Sequence, residues 1–134
     1  AAVLAVAASA APSAADTAGA AQEGEDRKEI ARATAGDFRV VVTAEKLDDE
    51  SGMPTAEVTV TGFLREDGSW RPIGTVPSEQ TAFWHTVTGP DGLCEFAVAD
   101  SPEPTAELRI SFGPSLGCAP RETFHVDSGG LVRG

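Results

Sequence analysis

An alternation of apolar and polar residues begins at Asp37, and it restricts the fold more than any other feature of the chain. Side chains at every second position of a strand lie on the same face, so an apolar series of this period marks a strand with one buried face. The segments 38–45 and 56–64 carry the series most clearly, and we predict that they pair as a hairpin. The side chains predicted to be buried in them are Phe38, Val40, Val42, Ala44, Ala56, Val58, Val60 and Leu64.

Turn residues divide the rest of the chain into further short strands. Asp67-Gly68 is typical of a tight turn, and Pro72 indicates that the strand after this turn lies at a sheet edge. Gly89-Pro90-Asp91-Gly92 predicts a second hairpin, between a fourth and a fifth strand. The additional strands predicted are 69–76, 82–88, 93–99, 107–112 and 123–127. About seven short strands of this kind predict an all-β, antiparallel sandwich of two layers.

The first fifteen residues have a different composition. Ala1–Ala15 is an uncharged run of small and apolar residues, too short to cross a bilayer, and it is typical of the apolar part of a secretory signal peptide. We therefore expect a signal-peptide remnant over 1–15 and a secreted, extracellular protein, either free or associated with the cell wall, with no membrane insertion after cleavage. An Ala-rich linker following a lost membrane anchor is the alternative.

Residues 16–36 combine Ala and Gly with many charged side chains, and only Ile30 among them is able to pack. This composition predicts a flexible acidic linker, with a short frayed helix over 25–33 as the alternative. The β-sandwich domain is then expected over 37–128, followed by a flexible tail over 129–134.

Length and charge limit the classes of partner. The chain has 134 residues, which is enough for one domain, and we expect a monomer. It carries 21 acidic and 10 basic residues, a formal net charge of −11. Nucleic acids and anionic membranes bind clustered Lys and Arg, so neither is expected as a partner.

Cys94 and Cys118 are the two cysteines of the chain. In an exported chain with no other thiol they are expected to form one disulfide, which would stabilise the fold by about 3–4 kcal/mol. The alternation within 93–99 places Cys94 on the buried face with Phe96 and Val98. A redox-active pair is the alternative, but the CxxC spacing that would indicate one is missing.

The sequence contains no arrangement typical of catalysis. His85 and His125 are the only histidines. A zinc site would need a third ligand such as Glu122 or Asp127, and the spacing does not supply one. No serine is predicted to lie on a nucleophile elbow, the turn from a strand into a helix that carries a catalytic serine. We therefore expect no enzyme activity, no metal site and no cofactor.

The acidic run Asp48-Asp49-Glu50 has two interpretations. Clustered carboxylates bind calcium, but this run lacks the alternating oxygen ligands and the central glycine of a calcium-binding loop. A solvated turn between two strands is the preferred interpretation.

Trp70 and Trp84 are candidate binding residues, because an exposed tryptophan stacks on sugar rings or on a protein partner. Trp84 shares a predicted strand face with Thr86, opposite the face of Phe83 and His85, and this alternation points it outward unless the register shifts. Burial of both tryptophans in the core is nevertheless the preferred interpretation.

The loop 113–120 contains two prolines, Cys118 and the apolar Leu116. A loop held by a disulfide loses little entropy when it docks, so Leu116 is a candidate anchor for a protease or another partner. The preferred interpretation is an ordinary connection between strands, held in place by its bridge.

The segments GSWRPIGTV (68–76) and TVTGPDGLCEFAVAD (86–100), with the loop around Cys118, resemble small secreted bacterial proteins with an immunoglobulin-like β-sandwich. They are similar in layout to uncharacterised secreted proteins of high-GC Gram-positive bacteria. The resemblance spans about residues 37–128 and implies an immunoglobulin-like antiparallel sandwich. The cysteine spacing is shorter than that of the inter-sheet pair in antibody domains, and the chain has no tyrosine for their tyrosine corner.

These observations favour a non-catalytic extracellular or surface-associated module that recognises a protein or a cell-wall glycan. The alternative is a secreted protease inhibitor that acts through the loop 113–120. Trp70, Trp84 and Leu116 are the candidate contact residues for these functions.

Overall fold

The computed structural model describes residues 26–47 and 52–134. The predicted signal remnant over 1–15 and the acidic run at 48–50 lie outside these residues. Within them the chain forms eight strands and one short helix: β1 (Arg27–Ala35), β2 (Phe38–Lys46), β3 (Thr55–Glu66), β4 (Ser69–Phe83), α1 (Trp84–Val87), β5 (Leu93–Ala99), β6 (Thr105–Ile110), β7 (Glu122–Asp127) and β8 (Gly130–Arg133).

The strands form two four-stranded antiparallel sheets, in the orders β1-β2-β3-β4 and β5-β6-β7-β8. Each sheet is a meander, and the chain passes from the first sheet to the second through α1. β1 lies beside β5, and β4 lies beside β8. The predicted all-β antiparallel sandwich is confirmed, with eight strands in the described part of the chain where about seven were predicted. The first four strands of the sequence form one sheet and the last four form the other, whereas in immunoglobulin domains the chain crosses between the two sheets several times.

The alternation of β2 and β3 fills the space between the sheets. Phe38 lies opposite Leu64, and Val42 lies opposite Val60, so apolar side chains of the two strands are neighbours on the inner face. The core consists of Phe38, Val40, Val42, Ala44, Ala56, Val58, Val60, Ala82, Trp84, Val87, Ala106, Leu108, Ile110, Ala119, Phe124 and Leu131. Burial of each large side chain contributes about 1.5–3 kcal/mol. The predicted inner faces of β2 and β3 are confirmed, except that Leu64 is half-buried.

β1 occupies residues for which a linker or a frayed helix was predicted. It pairs along its length with β2, with Ala31 opposite Val42 and Ala33 opposite Val40. Ile30 is an extra residue at a bulge, so Ile30 and Ala31 both pack against the core although they are adjacent. Both predictions are therefore wrong for 27–35. The bulge interrupts the period of two, and alanines give only a weak apolar signal.

β4 is longer than predicted, because it includes the segment 77–81 that separated the predicted strands 69–76 and 82–88. Glu57 lies opposite Thr81 while Thr59 lies opposite Pro77, so the three residues 78–80 bulge out of the ladder. β4 is an edge strand of its sheet, as Pro72 indicated. Its tight turn at Asp67-Gly68 is also confirmed, since Glu66 pairs with Ser69 across it.

The predicted fourth strand over 82–88 ends at Phe83 and continues as α1. Trp84 and Val87 are both buried, which a strand does not permit because residues three apart point to opposite faces. On a helix they share one face. The predicted hairpin across residues 89–92 is wrong for the same reason. This turn leads into the second sheet, passing so close to α1 that a Cβ on Gly92 would lie 2.1 Å from the Val87 carbonyl oxygen.

Cys94 does not lie on the buried face that was predicted for it. Leu93 pairs with Ile110 and Glu95 with Arg109, which leaves Cys94 as the extra residue of a bulge. The bulge shifts the alternation by one residue, so Leu93 packs against the core while Cys94 is exposed.

The chain forms a further strand where a flexible tail over 129–134 was predicted. Ser128 and Gly129 have φ values of 54° and 80°, the left-handed geometry of a tight hairpin turn, and β8 pairs with β7 beyond it. The tail prediction is wrong for 130–133. The strand is short and contributes one buried side chain, Leu131, so its period is not readable from the sequence.

Glu122 is a buried carboxylate, 6% exposed, at the start of β7. Its oxygens accept hydrogen bonds from Ser78 Oγ at 2.6 Å and from the Glu79 backbone N–H at 3.0 Å. Arg133 Nε lies 3.7 Å from the same carboxylate. Because these partners belong to the β4 bulge and to β8, the carboxylate joins the two sheets at one edge. Hydrogen bonds and an opposite charge offset the cost of burying it.

Candidate functional site

Three segments meet at the end of the sandwich where the chain passes between the sheets. The Trp84 N–H donates to the Pro54 carbonyl at 3.0 Å, which ties the segment before β3 to α1. After α1, Thr88 donates its N–H and its hydroxyl to the Trp84 carbonyl, at 3.1 and 2.6 Å. Trp84 and Val87 occupy the core, so His85 is exposed and Thr86 is half-buried on the outer side of the helix.

The third segment is the loop that follows β6. Ser111 and Cys118 form an isolated antiparallel bridge at its base, and the Phe112 N–H donates to the Gly117 carbonyl at 2.9 Å. The N–H groups of Leu116 and Gly117 both donate to the Gly113 carbonyl at 3.1 Å. The loop is therefore a closed turn whose backbone is held by its own hydrogen bonds.

The disulfide connects this loop to the second sheet. Cys94 and Cys118 are bonded, as predicted, with their Cα atoms 6.2 Å apart. Both residues are exposed, so the bridge is accessible from solvent. Glu95, the neighbour of Cys94 in the chain, accepts a 2.7 Å hydrogen bond from Arg121 Nε. That hydrogen bond, and then the charge of Glu95, raise the pKa of the Arg121 guanidinium.

An apolar cleft of about 240 Å³ lies between the three segments. We call it the apolar cleft. It is lined by Met53, Pro54, Phe83, His85, Thr86, Phe112 and Leu116. Phe83 and Phe112 meet edge to face, with ring centroids 6.5 Å apart. Met53 and Leu116 are 61% and 67% exposed. Apolar side chains that are left in water next to a concave surface are typical of a site for binding another molecule.

A second depression of about 430 Å³ adjoins the apolar cleft and shares His85 and Thr86 with it. It is more polar, because Asp91 and Ser111 also line it. Its remaining lining residues are Gly89, Pro90, Gly113 and Pro114. We call it the polar depression. Together the two concavities cover the end of the sandwich around α1.

Ser111, His85 and Asp91 all line the polar depression, but they do not form a hydrogen-bonded catalytic set. Ser111 Oγ accepts the Gly113 N–H at 3.1 Å, which is a local turn interaction. Within the described part of the chain, His85 forms no hydrogen bond with Ser111 or Asp91. A nucleophile is activated by a base within hydrogen-bond reach, and this geometry does not provide one.

The two histidines are held by different elements. His85 lies on α1, whereas His125 lies on β7 and its Nδ1 is 3.0 Å from the Gly134 carbonyl oxygen. Across residues 26–47 and 52–134, no three His, Cys, Asp or Glu side chains are grouped as ligands for a metal ion.

Trp70 lies on the outer face of the first sheet and packs against Val41 and Phe63. The guanidinium carbons of Arg39 and Arg65 lie 4.3 and 4.8 Å from the centroid of its indole ring. We call these five residues the Trp70 surface. Trp70 is half-buried, and the stacked arginines cover much of the ring that would contact a ligand.

Trp84 is 9% exposed and belongs to the core. The preferred burial of Trp84 is confirmed, and the outward orientation given by alternation is wrong, because Trp84 lies on α1 and not on a strand. Of the three candidate binding residues, only Leu116 lines the apolar cleft. Leu116 is also highly exposed, as the sequence of its loop suggested.

Sequence reasoning did not identify Met53, Phe83 and Phe112 as members of one site. Met53 precedes β3, Phe83 ends β4 and Phe112 begins the loop after β6, so no common period relates them. The fold brings them together. One feature of the sequence could have indicated the site: two aromatic residues and one methionine lie near the ends of strands, where side chains from different connections meet.

Comparison with protein-family models, with curated proteins and with solved structures finds no match to this chain. Among the described residues, no helix is both long enough and apolar enough to cross a membrane. The proposals below therefore rest on the geometry of the chain itself.

Proposed function

We propose that this protein is a non-catalytic extracellular module that binds another protein through the apolar cleft. The observation that carries the proposal is the exposure of Met53 and Leu116 beside a concave apolar surface. An apolar side chain that stays in water, as most of Leu116 does, contributes little to the fold. Covering them with a partner would recover about 25 cal/mol for each square ångström of apolar surface removed from water.

The size of the cleft favours a protein as the partner. Pockets for drug-sized ligands measure about 300–1,000 Å³, and the apolar cleft, at about 240 Å³, is smaller. Such a volume suits one large side chain inserted from another protein. Protein interfaces are commonly built around a few apolar anchors of this kind.

The support of the cleft is consistent with a preformed binding surface. The Leu116 turn is closed by backbone hydrogen bonds and attached to the second sheet by the disulfide. Pro54, on the opposite wall, accepts a hydrogen bond from α1. A surface that is already ordered loses less conformational entropy on binding.

The other hypotheses have less support. Stacking on a glycan needs an open aromatic face, but Trp84 is buried and Trp70 is covered by two arginines. A protease binds the reactive segment of an inhibitor in an extended conformation. Leu116 instead lies in a turn closed by hydrogen bonds to Gly113.

The exposed disulfide supports the extracellular part of the proposal. Thiol reductants in the cytosol keep accessible cysteines reduced, so an exposed structural bridge is typical of an oxidising compartment. Cys94 and Cys118 are both accessible to solvent.

Selection of random twelve-residue peptides displayed on phage, against the immobilised and oxidised full chain, tests the proposal. We expect enrichment of peptides that contain a large apolar residue, and loss of that enrichment with Leu116→Ser or Met53→Ser. Leu47→Ser is the matched control, because Leu47 is also an exposed apolar residue, at 40%, but does not line the cleft.

Equal enrichment on the wild-type chain and on the Leu116→Ser and Met53→Ser variants would contradict the proposal. Cosedimentation with bacterial cell walls that is lost in Trp70→Ala and retained in Leu116→Ser would also contradict it, and would restore the glycan hypothesis.

A further inference from the structure

The apolar cleft and the polar depression are parts of one continuous surface, since His85 and Thr86 line both. One partner segment that passes over α1 would therefore contact the two in succession. Consecutive Cα atoms of such a segment lie about 3.8 Å apart. Neighbouring side chains of an extended segment point to opposite sides, but the long, flexible stem of a lysine or arginine next to the anchor can turn toward the depression.

The polar depression differs from the cleft in carrying a charge. Asp91 is exposed and lies on its wall, while His85 is the other ionisable side chain in its lining. Lys28 Nζ donates to the Thr88 carbonyl at 3.3 Å, so this ammonium has a backbone partner. No salt bridge within the described residues engages the Asp91 carboxylate, which is therefore available to a cation of a partner.

The net charge of the whole chain also favours a partner with positive charge. The formal net charge of −11 attracts basic partners over distances of about a Debye length and repels acidic ones. It also repels a second copy of this chain, which has the same charge. For this reason we favour a basic partner over self-association as the occupant of the surface.

We propose that the surface takes a segment of a protein partner in which a large apolar residue is followed or preceded by a lysine or an arginine. The apolar side chain occupies the cleft beside Leu116 and Phe112, and the cation lies in the polar depression against Asp91. This inference rests on the proposed function, since it specifies the partner of the same site.

Two synthetic peptides test it, N-acetyl-Gly-Phe-Lys-Gly-amide and the same peptide with Glu in place of Lys. Each is titrated into the oxidised full chain, and the dissociation constant is obtained from NMR chemical shifts. An exposed ion pair is worth about 0.2–1 kcal/mol, so we expect the lysine peptide to bind about 1.4 to 5 times more tightly. Asp91→Lys reverses the preference.

Glu103→Lys is the matched control. It changes the net charge by the same amount, and Glu103 is exposed in the connection between β5 and β6, at the other end of these strands. We expect it to weaken binding of the lysine peptide much less than Asp91→Lys does. An equal effect of both substitutions would mean that net charge alone is responsible, and the assignment to Asp91 would be wrong.

The two levels of the proposal fail in different ways. If both peptides bind equally and Leu116→Ser abolishes binding of both, the cleft is a binding site but the basic neighbour is not recognised. If neither peptide binds and sedimentation shows a dimer that Leu116→Ser dissociates, the occupant is a second copy and the basic-segment proposal is overturned. If neither peptide binds and phage selection is unaffected by Leu116→Ser, the proposed function fails as well.

Discussion

The Trp70 surface and the apolar cleft both place large apolar side chains outside the main core, but they differ in what covers them. Arg39 and Arg65 stack on the Trp70 ring. At the cleft, Met53 and Leu116 are mostly exposed to solvent. The sequence draws attention to the tryptophans, because they are large and rare in this chain. The structure draws attention to Leu116, whose side chain is 67% exposed beside the cleft.

The comparison indicates how to separate structural from functional apolar residues. A side chain that is already covered contributes to folding, and its removal lowers the stability of the fold. A side chain left in water contributes little to folding, so its removal leaves stability nearly unchanged and alters binding. Leu116 and Trp84 represent the two extremes, and Trp70 lies between them.

The largest effect is expected from Trp84→Ala. Replacing a buried aromatic residue by alanine removes apolar burial and leaves a cavity, which costs about 3–5 kcal/mol. Urea denaturation of the variant and of the wild-type chain measures the difference in the free energy of unfolding. A loss below about 1 kcal/mol would show that Trp84 does not occupy the core and would reopen its role as a contact residue.

The next effect is expected from replacing both cysteines, as Cys94→Ser with Cys118→Ser. The bridge restricts the unfolded chain, and its removal costs about 3 kcal/mol for a loop of this size. Peptides selected by the wild-type chain should also bind more weakly, because the Leu116 turn loses its attachment to β5. If the variant is still folded at the assay temperature and its peptide affinity is unchanged, the disulfide does not support the binding site.

Trp70→Ala is expected to lower the free energy of unfolding by about 1–2 kcal/mol, which is less than the effect of Trp84→Ala. The indole interacts with two guanidinium groups, and each exposed interaction of this type is worth about 0.5–1 kcal/mol. The same denaturation experiment measures it. Peptide binding should not change, and a loss of binding would move the proposed site from the cleft to the Trp70 surface.

The smallest effect concerns the hairpin that carries Trp70. Arg71 Nε donates to Glu66 at 2.7 Å, and this hydrogen bond, followed by the charge of Arg71, lowers the pKa of the Glu66 carboxyl. Because the folded-state pKa is the lower one, the stabilisation is present above the unfolded pKa and is lost as the pH falls through the folded pKa. NMR titration of Glu66 should show a pKa that returns toward its usual value in Arg71→Gln. An unchanged pKa would show that the pair is not formed in solution.

Much of the sandwich was predictable from the sequence. β2, β3 and β6 keep the alternation over most of their length, and the Asp67-Gly68 turn has a sequence typical of its geometry, so these elements were placed correctly. β1 and β5 each contain a bulge, which shifts the period by one residue and hides Ile30 and Cys94 from an argument based on alternation. α1 is one turn long, too short for a helical period to appear.

The candidate site was less predictable than the fold. Leu116 was identified because its loop contains a cysteine, prolines and one large apolar residue. Met53, Phe83 and Phe112 come from three separate connections, and they become neighbours only after the chain has passed through α1. That passage depends on Trp84 entering the core, which is the step that the period of two did not predict.

The central claim is that the protein binds its partner at the apolar cleft and not at the Trp70 surface. The most direct test is to map the NMR chemical-shift changes of the ¹⁵N-labelled full chain upon addition of a peptide selected by phage display. We predict that the largest changes occur at Phe83–Thr86 and Phe112–Gly117, with little change around Trp70. Changes centred on Arg39, Arg65 and Trp70, with none at Leu116, would contradict the claim.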